Sequence, residues 1–182
     1  MPAHKTERFR KEITRLPEWR QTKSMILEIK TYPDKILNQK AKKVGEISAE
    51  IKKLIDDMVE TLYAKHGAGL AANQIGVAKQ IIVIDMGDGL RIFINPKITG
   101  RKGAAIMEEG CLSLPGVWLP VKRPTKIEVE YKDKNGQIKK IKAQDLLARA
   151  ICHETDHLKG KTMLDKLPLM KRIKIKRQLR KK

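Results

Sequence analysis

Residues 153–157 read HETDH, two histidines four positions apart with a glutamate directly after the first. On a helix of 3.6 residues per turn this spacing carries both imidazoles on one face, where they can point at one ion. Glu154 lies one step around the helix, placed to move protons rather than to bind metal. A chain that uses this stretch must build a helix here and bring a third ligand to it from elsewhere. Downstream of His157 there is no histidine and no glutamate, only Asp165 before a basic tail. His4 lies near the start of the chain and His66 ends a different helix. That leaves Cys111, in the glycine- and proline-containing loop EEGCLSLPG, as the candidate for the third ligand. A lone cysteine is usually inert core packing. This one sits in a loop unlike a core strand, beside a motif that is short of a ligand.

The rest of the composition narrows the setting. A length of 182 residues suits one domain with tails. With 41% hydrophobic and 34% charged residues, the chain reads as a folded soluble domain, not a disordered one. It has no apolar run of membrane-span length and no secretory h-region, so no membrane partner is expected. Two cysteines, Cys111 and Cys152, suit a reducing cytoplasm better than a disulfide scaffold. The net charge of +19 is concentrated at the ends: residues 1–24 carry seven Lys/Arg against three Glu, and residues 166–182 carry nine with no acid. Basic ends point to a polyanionic partner.

Three segments are expected. Residues 1–24 read as a basic, loosely ordered extension in which Phe9, Ile13 and Leu16 have helical spacing, with Met25 as an alternative start. Residues 25–165 read as a catalytic domain, and 166–182 as a basic C-terminal helix or tail. Within the domain, Ser48 caps a helix running to about His66, with Ile51, Leu54, Ile55, Met58 and Leu62 on one face. QIIVIDM and RIFINP read as strands, and Asn135-Gly136 turns a hairpin between Ile127–Tyr131 and Ile138–Ala143. A second helix spans Asp145–Leu158 and stops near Gly160. The fold class is α+β: mostly antiparallel sheets packed around a central metal-binding helix, with a C-terminal basic helix.

Three separated stretches, GAGLAANQ (67–74), EGCLS (109–113) and HETDH (153–157), resemble the peptide deformylase family in order and spacing. The likeness covers about residues 25–165. It implies metal-dependent hydrolysis of the formyl group from N-formylmethionyl nascent peptides, releasing formate during translation. By the same likeness Cys111, His153 and His157 bind one divalent metal per chain. Iron(II) is the implied ion, although the donor set also accepts zinc, nickel or cobalt. Glu154 is the general base and acid. The Gln74 side chain and the Leu112 backbone N–H meet the developing oxyanion. Gly67, Gly69 and Gly110 belong to loops between which the peptide binds as an added strand. Ala68, Leu146 and Ala150 are the candidate methionine pocket, and Arg123 is expected to pair with Asp156 behind the metal helix. Cys152 stands where the family usually has glutamine, and a 100° turn per residue sends it away from the ion. Ala68 is smaller than the branched residue often found there. A monomer is expected. The basic tail, with Leu169, Met170 and Ile173 seating its start, is expected to bind ribosomal RNA near the exit tunnel.

Two other classes compete. A zincin-like endopeptidase would need the missing downstream ligand. An RNA-binding module with a structural metal would need a fourth Cys or His, and the chain has no aromatic after Tyr131 for base stacking.

Overall fold

The structure is a computed structural model and describes residues 25–179. The helical spacing read in residues 1–24 lies outside the described residues, as do Arg180–Lys182. Among the described residues, seven strands form two antiparallel sheets. β1 (Gly69–Ala71), β2 (Ile81–Asp85), β3 (Leu90–Lys102), β6 (Lys126–Lys132) and β7 (Ile138–Gln144) make a five-stranded sheet in the order β1-β2-β3-β6-β7. β4 (Ala105–Glu109) and β5 (Leu119–Arg123) pair separately. The helices are α1 (Ala49–Ala64), α2 (Asp145–Leu158) and α3 (Leu169–Leu179). Among the described residues no helix is long and apolar enough to cross a membrane.

The run IIVI in β2 explains how the layers stack. Successive side chains on a strand point to opposite faces, so a continuous apolar run implies burial on both. Ile81 and Val83 pack with Ile55, Met58 and Leu62 of α1, while Ile82 and Ile84 pack with Phe93 and with Ala148 and Ile151 of α2. The sheet is therefore sandwiched, and α2 is fixed by its apolar side while its polar side is turned to the metal motif. Burying each such large side chain stabilises the fold by about 1.5–3 kcal/mol. Cys152 belongs to this apolar side and is 6% exposed.

Both long helices end in the same device. α1 begins at Ser48, whose hydroxyl accepts from the Ile51 N–H at 3.4 Å. It ends with His66 in the left-handed region, its N–H donating to Tyr63 O while the Gly67 N–H donates to Leu62 O. α2 ends with Gly160 left-handed, Gly160 N–H donating to His157 O and Lys161 N–H to Asp156 O. These are Schellman closures, and the first one steers the chain from α1 into β1.

The C-terminal helix departs from expectation. Leu169 and Met170 do not seat it, being 59% and 76% exposed. Ile175 and Leu179 instead pack on the cluster of Leu114, Leu119, Val121, Met163 and Leu164. Arg172 bonds Asp165 at 3.1 Å and the Lys176 ammonium lies 5.6 Å from the centre of the Tyr32 ring. Positions 172, 175, 176 and 179 form one helical stripe, and a 100° step per residue puts Met170 on the other side.

Candidate metal centre

α2 delivers His153, Glu154 and His157, and the loop after β4 delivers Cys111. One ligand atom each from Cys111, His153 and His157 lies within 4.8 Å of the others. Cys111 Sγ is 3.2 Å from His157 Nε2. His153 Nδ1 is 2.9 Å from Glu109 Oε2, so its N–H donates to that carboxylate and Nε2 is left for an ion. A sulfur and two imidazole nitrogens suit a divalent transition metal.

The electrostatics also call for a cation. Burial alone would push the Cys111 thiol up, but the adjacent His157 and His153 hold it down to about 5, so it is a thiolate at neutral pH. Burial alone would lower His153, yet its hydrogen bonds with Cys111 and Glu109 raise it to about 10. A divalent ion bound here would take the place of that positive charge, with the His153 proton released. The residues fit the group.

Glu154 is 5% exposed and burial raises its pKa, with the two histidines pulling the other way. Its Oε2 is buried without a hydrogen-bond partner among the described residues, as is His157 Nδ1. β1 crosses directly over this carboxylate. A Cβ at Gly69 would lie 2.6 Å from Glu154 Oε1, which is why glycine stands there. Gln74 is 1% exposed: its Oε1 accepts from the Ala71 N–H at 2.8 Å, and its Nε2 donates to Ser113 Oγ at 3.2 Å and lies 3.6 Å from Cys111 Sγ. Its amide nitrogen is thus aimed toward the Cys111 sulfur.

Other expected site residues have different surroundings. Leu112 follows the cysteine in a turn closed by Leu114 N–H donating to Cys111 O at 2.9 Å. A Cβ at Gly67 would meet Leu62 and Leu112 at about 3 Å, and one at Gly110 would meet the Trp118 indole at 3.2 Å. The close approaches at these glycines are therefore to side chains of the chain itself. Leu146, Ala150, His153 and His157 follow one stripe of α2. Leu146 is 51% exposed, Ala68 is exposed and Ala150 is half-buried. Arg123 Nη1 donates to Asp156 Oδ2 at 2.7 Å, and Lys166 Nζ reaches the same oxygen at 2.9 Å. Burial would raise Asp156, but these two cations hold it below the usual carboxylate range.

Sequence reasoning missed Glu109 and Arg149. Glu109 is 6% exposed and is bonded by Arg123, Arg149 and His153. Burial alone would raise it, but His153 and Arg123 lower it to about 2. The available signal was chemical: a metal-ligating histidine needs a partner for its second nitrogen, and Glu109 stands two residues before the cysteine ligand. Met107 faces the same side of the β4–β5 hairpin as Glu109 and is 44% exposed.

Two histidines and a cysteine beside a buried carboxylate, on a helix packed against an antiparallel sheet, define a metallohydrolase of α+β architecture. Comparison with known proteins gives the particular family. The polypeptide deformylase family model matches residues 26–173. The peptide deformylase of Caldanaerobacter subterraneus subsp. tengcongensis is 50% identical over 139 residues, 76% of this chain and 87% of that one. The crystal structure of peptide deformylase from Ehrlichia chaffeensis in complex with actinonin superposes with a TM-score of 0.84 at 40% identity, covering 86% of this chain and 97% of that one. That from Thermotoga maritima gives 0.77 at 34% identity over 79% and 98%. The chain belongs to the polypeptide deformylase family, whose members remove the N-formyl group from nascent peptides.

Proposed function

We propose that Cys111, His153 and His157 hold one divalent ion, and that Glu154, Gln74 and Leu112 carry out deformylation around it. The carrying observation is the convergence of the three ligand atoms within 4.8 Å beside the unpartnered oxygen of Glu154. When bound, the ion supplies Lewis acidity, making water nucleophilic near neutral pH. Glu154, whose burial keeps its proton affinity high, accepts a proton from water and returns it to the leaving amine. The Gln74 amide and the Leu112 N–H donate to the oxygen on which charge develops. Iron(II) is the ion favoured by the family likeness; zinc, nickel and cobalt fit the same donors.

Among the described residues β1 pairs on one side only, with β2, and β4 on one side only, with β5. Two free strand edges therefore flank the site, which supports docking of the formylated peptide by backbone hydrogen bonds, with Gly67, Gly69 and Gly110 in the flanking segments. Ala68, Leu146 and Ala150 would receive the methionine side chain. Formate release from formyl-Met-Ala-Ser by wild type, with about 10²–10⁴-fold less from Glu154→Ala and no cleavage of unformylated Met-Ala-Ser, is the expected result. Cleavage of the unformylated peptide would point to the endopeptidase reading.

We also propose that residues 25–165 form the catalytic unit of a cytoplasmic monomer, and that the basic segment 166–182 docks on ribosomal RNA near the exit tunnel. The exposed cations of α3 support this last point, because phosphate contacts need charge and not base-reading side chains. Tethering would raise the local concentration of substrate.

A further inference from the structure

The carboxylate of Glu109 has about four acceptor positions, and all four are used. Oε1 accepts from Arg123 Nε at 2.7 Å and from Arg149 Nη1 at 2.6 Å. Oε2 accepts from Arg123 Nη2 at 2.9 Å and from His153 Nδ1 at 2.9 Å. Arg123 comes from the β4–β5 hairpin, whereas Arg149 comes from α2, one helical turn before His153. Arg149 is 8% exposed, and two more of its N–H groups donate to Val121 O and Ala105 O, both at 2.9 Å. A buried guanidinium with this many partners is costly to place unless the geometry it fixes matters.

We propose that Arg149 is a positioning residue for the metal ligand His153, acting through Glu109. Arg123 alone grips both oxygens from one edge and leaves Oε1 with a vacant acceptor position, so the carboxylate can still tilt within that grip and shift Oε2 against the imidazole. Arg149 fills that position, so Oε2 alone faces His153 Nδ1. The imidazole is then held in one tautomer and one ring plane, with Nε2 aimed at the ion. The same guanidinium ties α2 to both strands of the hairpin that carries Cys111. Ligands from two separate elements are thereby kept in register before any ion arrives. This inference rests on Cys111, His153 and His157 being the metal ligands.

The test compares wild type, Arg149→Met and Arg149→Lys, each loaded with cobalt(II). Competition with a chelator gives metal affinity, and the visible absorption band reports the ligand geometry. Wild type binding one cobalt per chain with a thiolate charge-transfer band upholds the ligand assignment; its failure would sink that assignment and with it this proposal. Given that band, Arg149→Met is expected to lose about 10- to 100-fold in metal affinity and to show a shifted cobalt spectrum. Arg149→Lys, which keeps one donor to Glu109, should fall between the two. A folded Arg149→Met with wild-type affinity and spectrum would reduce Arg149 to a staple of the hairpin and overturn the proposal. Should Arg149→Met fail to fold, Arg149→Gln, whose shorter neutral side chain withdraws the guanidinium from Glu109, is read in its place, and wild-type affinity and spectrum there would overturn the proposal equally.

Discussion

α2 and α3 are helices of similar length, 14 and 11 residues, in the same chain, and they treat charge in opposite ways. Nine residues of α2 are buried, among them Arg149, His153 and Glu154; none of α3 is. In α2 the side chains of Arg149, His153 and Asp156 are paired with Glu109, Arg123 and Lys166, which come from other elements that pack on it. In α3 the contacts are Arg172 to Asp165, Lys176 over Tyr32, and the packing of Ile175 and Leu179. Chemistry at a fixed ion needs groups held to a fraction of an ångström, which only burial and multiple partners supply. Attraction to a polyanion needs only density of charge. The two helices should therefore respond to mutation in different ways.

The widest separation is expected inside α2 and its cysteine loop. Cys111→Ala should lose both metal and turnover, because it removes a thiolate ligand. Glu154→Ala should retain stoichiometric metal and lose turnover by about 10²–10⁴-fold, the usual worth of a positioned proton-transfer group. Metal content and formate release measured on the same preparations decide this. A Cys111→Ala protein with full metal and near-normal rate would remove the basis of the ligand assignment.

Next in size is the charge network behind the ligands. Arg123→Met strips a buried cation from Glu109 and Asp156 together. The expected loss is about 3 kcal/mol, the low end for breaking a buried pair, since Arg149, His153 and Lys166 still offer partial compensation. Denaturant unfolding measures it. The same network fixes an acid limb. Glu109 titrates at about 2 in the folded chain against an ordinary 4.5, so its contribution is complete above pH 4.5 and disappears as pH falls towards 2. Glu109→Gln should start less stable at neutral pH and lose less than wild type over that interval. Parallel curves would mean that the carboxylate is not held ionised by its partners.

How far the sequence foretold these two helices follows from the same contrast. Helical spacing with a serine cap and glycine stop was enough to place α1 and α2, and Asn135-Gly136 marked the β6–β7 hairpin. β1 has three residues, too few to show alternation, and was read only as glycine-rich loop. β4 and β5 were also missed: Pro120 argues against a strand, yet it sits on the outward face opposite Glu108, where a proline is tolerated. The three residues that converge as candidate ligands were legible because metal-binding chemistry restricts residue type. Glu109 and Arg149 were not, since a charged side chain reads as surface until the partners that bury it are known. The seating of α3 was misread because apolar residues at its start were credited over Ile175 and Leu179.

The last expected effect is the smallest per residue and concerns α3. If the basic segment neutralises phosphates, binding to ribosomes should weaken by roughly three decades between 50 and 200 mM salt for about six contacts. Each exposed cation changed to glutamine, such as Lys174 or Arg177, should lower the salt slope by about 0.9 while leaving turnover of a short formylated peptide unchanged. Lys176→Gln differs from these two, because its ammonium lies over the Tyr32 ring. It should also cost about 0.5 kcal/mol of stability, the value of an exposed cation–π contact. Removing residues 171–182 should take away binding and spare that turnover, except for what is lost when Ile175 and Leu179 leave the Leu114–Leu119 cluster. Replacing both by serine in the full-length chain isolates that packing loss. If the serine variant keeps its salt-sensitive ribosome binding while the glutamine series loses it, α3 works by charge, as its contrast with α2 requires. The opposite pattern would mean that its seating, not its field, is what the partner reads.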